Sequence, residues 1–314
     1  MAGKQRPKGS FSGHETFPFR YTWLTKAVAA VAGDPMILSK EEAMVELGVG
    51  KNMVKSIRHW AIVMGMLEEE PGPARSRSKA LSISSLGRKL LGAGSGWDPY
   101  LEDIGTIWLL HWQLCSDPLR ATTWYWTFNH LPQPEFSKND LLRWLTTHVE
   151  VSGWSRIGSG TIKRDIDCMV RTYVPAKVTR TVMLEDTLDS PLVELGLIHE
   201  FGGKNNYMLS RGDQPTLPDD LFAFGLASYV QSLDSSSQTI PLEKLAFAPG
   251  SPGRIFCLSE GSLLQRLDQL DELTDGAIVF DETAGLRQVL LRRDCDPADI
   301  LNHYYTHKAA PAFA

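Results

Sequence analysis

A mainly α-helical α+β fold, built of tandem winged-helix-turn-helix-like units with small β-wings, is what this sequence predicts. Three observations point to it. Near residue 40 two helical stretches joined by a glycine turn are followed by a short hairpin pattern. The same layout returns near residue 140, and a fainter echo appears near residue 245. The division that follows is an N-terminal winged-helix DNA-binding domain (1–93), a helical bridge (94–136), a second winged-helix-like unit (137–213) and a helical and hairpin unit (214–314).

In "FSGHETFPFRYTWLTKAV", Phe17, Tyr21, Leu24 and Val28 keep helical spacing, so a first helix is expected from about Phe17. His14 and Glu15 form the turn before it. They are candidate catalytic residues, a metal ligand and a general base, and equally candidates for capping that helix. Ser39 with Glu42 reads as a capping box that starts a helix at Lys40, ending at Gly48. After "GVGKN" a second helix is expected over Lys51–Leu67, with Met53, Ile57, Trp60, Ala61 and Met64 buried. Its other side presents Lys51, Asn52, Lys55, Ser56, Arg58 and His59 as candidate DNA contacts. A strand, a Pro/Gly-rich tip carrying Arg75, Arg77 and Lys79, a second strand and a helix capped by Ser84 or Ser85 complete a basic wing. Some winged helices contact only protein, which is the competing reading of this domain.

The stretch "WDPYLEDIGTIWLLHWQLCSDPLRATTWYWTFNHL" reads as apolar helices interrupted by Glu102, Asp103, His111 and Asp117 and stopped by Pro118. Asp98, Glu102 and Asp103 cluster there, with Asp98 and Glu102 one helical turn apart, and are candidate ligands for Mg²⁺ or Mn²⁺. The structural alternative makes Asp98 an N-cap with Pro99 at the first helical position. In the second copy Ser137 and Asp140 form a capping signal, and a following helix capped by Ser159 buries Ile162, Ile166, Met169, Val170 and Tyr173. Lys163, Arg164 and Arg171 on its polar side are further candidate DNA contacts, whereas Asp165 and Asp167 read as surface pairs. "LVELGLIHEFGGKNNYMLS" supplies the hairpin. Near the C-terminus, "PLEKLAFAPGSPGRIFCLSEGSLLQRLDQLDEL" offers two helices split by a turn, and "GAIVFDETAGLRQVLLRR" a hairpin turning near Ala284 and Gly285.

Composition bounds the function. The net charge of −5 is split: residues 1–91 hold eight Lys and six Arg against eight Asp or Glu, net +6, leaving −11 on the other 223 residues. A basic end on an acidic body fits a polyanion partner. No apolar run is long enough to span a membrane. The basic start "MAGKQRPKGS" lacks the apolar core of a secretory signal, and Cys115, Cys168, Cys257 and Cys295 lack CxxC spacing, so a cytoplasmic protein with reduced thiols is expected. No phosphate loop, HExxH, GxSxG or strand-borne GxGxxG is present.

Four separated segments, "FSGHETFPFRYTWL", "WDPYLEDIGTIWLLHWQL", "TIKRDIDCMVRTYV" and "APGSPGRIFCLSE", resemble in order a bacterial domain-of-unknown-function family encoded beside DNA phosphorothioation genes. These are the SspB-like components of the Ssp antiphage systems. The resemblance runs from about Ser10 to Leu291. It implies a DNA-acting partner of a cysteine desulfurase, an ATPase and an ATP-pyrophosphatase-like enzyme, one that nicks double-stranded DNA so that sulfur can replace a non-bridging phosphate oxygen. A nicking endonuclease would hold Mg²⁺ or Mn²⁺ at Asp98, Glu102 and Asp103, with His14 or Glu15 moving protons. The alternatives are a non-catalytic adaptor that recruits the modification enzymes and a winged-helix transcriptional regulator. A homodimer on DNA is a further expectation.

Overall fold

A computed structural model describes residues 9–72, 79–154, 157–176, 190–203, 205–233, 237–283 and 285–309. The chain is α+β and divides into two compact units, one of residues 1–126 and 135–208, the other of 127–134 and 209–314.

In the first unit α1 (Trp23–Gly33) buries Trp23, Leu24, Ala27, Val28 and Val31. It begins at Trp23 and not at Phe17, because the preceding residues are drawn into a tight turn and an extended run against other elements. The helix expected from Lys40 is shorter too. Ile37–Ser39 forms a 3-10 turn that buries Ile37 and Leu38, which leaves Lys40 extended. α2 (Ala43–Leu47) starts later, without a side-chain cap, so the Ser39–Glu42 capping box does not form. Gly48 ends α2 at φ 65°, a left-handed geometry natural to glycine. α3 (Lys51–Val63) then buries Val54, Ile57, Trp60 and Ala61, and stops four residues before Leu67, which opens a strand. β1 (Leu67–Glu69) pairs antiparallel with β2 (Leu81–Ile83). Ser84 caps α4 (Ser85–Leu91), accepting from Gly87 N at 2.8 Å, as expected.

α5 (Ile104–Cys115) is buried along nearly its whole length, as is the first half of α6 (Thr122–His130). β3 (Glu135–Ser137) leads into α7 (Lys138–Val151), where the Ser137–Asp140 capping box forms in full. α8 (Ser159–Tyr173) buries Ile162, Ile166, Met169, Val170 and Tyr173. Its N-cap is Gly158, so Ser159 is the first helical residue and not the cap. β4 (Ile198–Glu200) and β5 (Asn206–Leu209) complete a sheet of order β3-β5-β4.

In the second unit α9 (Asp219–Ser232) is an apolar helix. β6 (Thr239–Pro241) is followed by four short helices, α10 (Leu242–Phe247), α11 (Pro252–Ile255), α12 (Glu260–Leu267) and α13 (Leu270–Leu273), where two were expected. β7 (Ile278–Thr283) and β8 (Leu286–Leu291) form the hairpin, in the order β6-β8-β7, and α14 (Pro297–Ala309) ends the chain's described elements by packing on α9. Both three-stranded sheets therefore share one topology: a leading strand, helices, then a hairpin whose second strand pairs with the leader. In the first copy a single bond, Leu81 N to Pro35 O at 2.9 Å, takes the place of that third strand. No helix among the described residues is long and apolar enough to cross a membrane.

Candidate nucleic-acid interface

α3 is amphipathic, and its outward side carries Lys51, Lys55 and Arg58 at i, i+4 and i+7, one continuous face of a helix. With Lys40 and Lys79 these side chains line an open cleft of about 680 Å³ whose floor is Leu38, Met44 and Val54. Lys51 makes no ion pair among the described residues. The other cations of the face have carboxylate partners: Lys55 lies 3.3 Å from Glu15, and Glu69 takes Arg58 and Lys79 at 2.7 Å each. Those two contacts hold the Glu69 carboxyl below its usual range, the Lys79 hydrogen bond first and the Arg58 bond second. Asn52 is exposed beside Lys51. Arg75 and Arg77 lie outside the described residues.

Two expected contacts do not belong to this face. Ser56 is fully buried, so α3 does not present it outward. His59 packs against the loop before α1, and a Cβ on Gly13 would come within 2.2 Å of its Nδ1, which is why glycine stands there. Burial, and second the neighbouring His14, push the His59 pKa down to about 3.

The loop itself is an anchor. His14 is fully buried, its ring among His59, Trp60 and Trp124. Its Nδ1 accepts from Thr16 N at 3.0 Å, which places the ring proton on Nε2, where it donates to Asp165 Oδ1 at 2.7 Å. Ser12 N donates to the same oxygen at 2.8 Å. Cys168 and the Trp60 indole both donate to Phe17 O, and Arg171 donates to Thr16 O. Ser12, Glu15 and Thr16 all have left-handed backbones, with φ of 61°, 47° and 70°. This strain survives because α3 and α8 over-determine the loop from both sides. His14 thus has no exposed surface, and both of its ring nitrogens are engaged within the fold. Glu15, in contrast, is carried out to Lys55 on the basic face.

Asp165 corrects a second reading: it is 1 % exposed, not part of a surface pair. Its place was readable, three residues after Ile162 and four before Met169, hence on the apolar stripe of α8. Lys163 and Arg164 are exposed and without ion partners among the described residues, whereas Arg171 is tied to the loop and borders a second cleft with Arg20 and Lys138.

The acidic cluster is not arranged as a metal site. Residues 99–103 are not helical, so Asp98 and Glu102 share no helix face. Asp98 is buried, its two oxygens accepting from Glu102 N at 2.9 Å and Asp103 N at 3.0 Å. Asp103, not Asp98, caps α5 through Gly105 N, and Glu102 is exposed. Carboxylates spent on backbone N–H groups do not fit Mg²⁺ or Mn²⁺, and no group of three or more His, Cys, Asp or Glu among the described residues is arranged to hold a metal ion.

No curated protein matches the chain. The family model described as "Protein of unknown function (DUF4007)" matches residues 11–305. A crystal structure of magnesium-ion-bound SspB is similar with a TM-score of 0.87 and 32% identity, over 98% of this chain and 91% of that one. A second SspB crystal structure gives a TM-score of 0.86 and 32% identity, over 97% and 90%. Similarity of this extent, in sequence and in fold, runs through both compact units, and the chain belongs to the DUF4007 family as an SspB-like protein.

Proposed function

We propose that this SspB-like protein is the DNA-contacting component of a phosphorothioation-based defence system. In this reading residues 23–91 act as a winged helix, with the outer face of α3 against double-stranded DNA and the β1–β2 hairpin as its wing. The observation that carries it is the alignment of Lys51, Lys55 and Arg58 along one face of α3, above a cleft that Lys40 and Lys79 complete. Such a row neutralises backbone phosphates whatever the base sequence. Lys163 and Arg164 on α8 offer a second basic surface of the same kind.

Nicking is favoured by one observation, the magnesium ion in a similar SspB structure. Among the carboxylates the sequence singles out for it, Glu102 is exposed and Glu15 reaches Lys55 on the basic face, whereas the buried Asp98 does not fit the ion. The adaptor reading needs no metal.

The test is fluorescence anisotropy with a mixed-sequence duplex across a salt series. Lys51→Ala and Lys55→Ala should each weaken binding to all sequences and flatten the salt dependence by about one unit of slope. Unchanged binding in the double variant places the DNA surface elsewhere. The same preparations with supercoiled plasmid and Mg²⁺ or Mn²⁺ separate nickase from adaptor: open-circular product supports the first, and intact plasmid the second.

A further inference from the structure

On the basic face Glu69 stands out. It follows Leu67 by two residues on β1, so it shares the inward face of the hairpin with a buried side chain, while Glu68 points the other way. That orientation brings its carboxylate between α3 and the far strand's approach. One oxygen takes the Arg58 guanidinium and the other the Lys79 ammonium, both at 2.7 Å. Two cations clasping the two oxygens of one anion is also how a protein holds two non-bridging oxygens of a phosphate.

We propose that Glu69 is a built-in competitor for the DNA backbone, occupying with its carboxylate the phosphate subsite that Arg58 and Lys79 form. The proposal rests on the DNA-binding reading above. A phosphate entering the cleft must displace Glu69 or do without these two cations, so sequence-independent binding is weakened, and a duplex making further contacts is favoured over one that does not. The competition is mild by construction. The three side chains are one-quarter to one-half exposed, and exposed pairs of this kind are worth about 1 kcal/mol or less, so a phosphate can take the place of the carboxylate. Lys51 has no such competitor among the described residues and is the open entry point for the backbone.

Glu69→Gln keeps the shape of the side chain and removes its charge. It should tighten binding of a mixed-sequence duplex by about three- to tenfold and steepen the salt dependence by about one unit, as the freed cations engage phosphate. Glu68→Gln makes the same charge change one residue away on the opposite face and controls for the general field. In an Arg58→Ala background the gain from Glu69→Gln should shrink, because the two residues act as one unit. Equal effects of Glu69→Gln and Glu68→Gln, or weaker binding in Glu69→Gln, would overturn the competitor role; weaker binding would make Glu69 the residue that orients Arg58. Failure of the DNA reading looks different: Lys51→Ala then leaves binding unchanged, whatever Glu69→Gln does.

Discussion

At the scale of single residues, the demands on Asp165 are uneven. Oδ1 accepts from both Ser12 N and His14 Nε2, while Oδ2 is buried without a hydrogen-bond partner among the described residues. Asp165→Ala strands the buried His14 Nε2 donor and the part-buried Ser12 N and should cost about 1–3 kcal/mol in urea unfolding. Asp165→Asn can keep a carbonyl where Oδ1 stands and should lose less. On the other side of the loop, Gly13→Ala drives a methyl into the His59 ring and should cost about 1–3 kcal/mol as overpacking. A wild-type melting curve for Gly13→Ala would show that the loop can move off α3, and that the strain at Ser12, Glu15 and Thr16 is not held in place by it.

At the scale of elements, two serines that look alike in sequence differ in use. Ser137 Oγ accepts from Asp140 N at 3.1 Å, and the Asp140 carboxylate reaches back to Ser137 N at 3.2 Å, satisfying donors that the first turn of α7 leaves open. Ser159 starts α8 with no cap bond. Ser137→Ala should therefore lower stability by about 1 kcal/mol, and Ser159→Ala should be near neutral, both measured by denaturant midpoint. Periodicity made the outlines of α3, α7 and α8 legible, because each buries one stripe at helical spacing. It misplaced the starts of α1, α2 and α5, where short-range signals lost to burial: Ile37 and Leu38 are taken into the core by a 3-10 turn, and Asp98 ties down a loop instead of opening a helix.

For the whole molecule, acid stability follows from His59. Its folded-state pKa is depressed toward about 3 from an ordinary 6.5, so below 6.5 the unfolded chain binds a proton that the folded chain refuses. Stability then rises with pH across that window and is lost as pH falls. Between pH 7.5 and 5, above the carboxylate range, the melting temperature should drop, and His59→Asn should flatten that limb. A wild-type slope in His59→Asn would assign the acid limb to other groups. The split of charge, net +6 in residues 1–91 and −11 beyond, acts at this scale as well, since it favours presenting the basic end to a polyanion.

By itself the sequence determined the α+β class, the repeated helix, helix and hairpin layout, the basic face of α3 and membership of an SspB-like family, because these depend on local period, composition and ordered motifs. Only the tertiary structure decided what each charged residue does. His14, Ser56 and Asp165 turned out to be buried, Asp98 and Asp103 to serve backbone N–H groups, and Glu15 and Glu69 to stand among the cations of α3. The physical reason is that a polar side chain's role is set by its partner, and those partners lie 10 to 153 residues away along the chain, or in a loop whose shape no propensity describes.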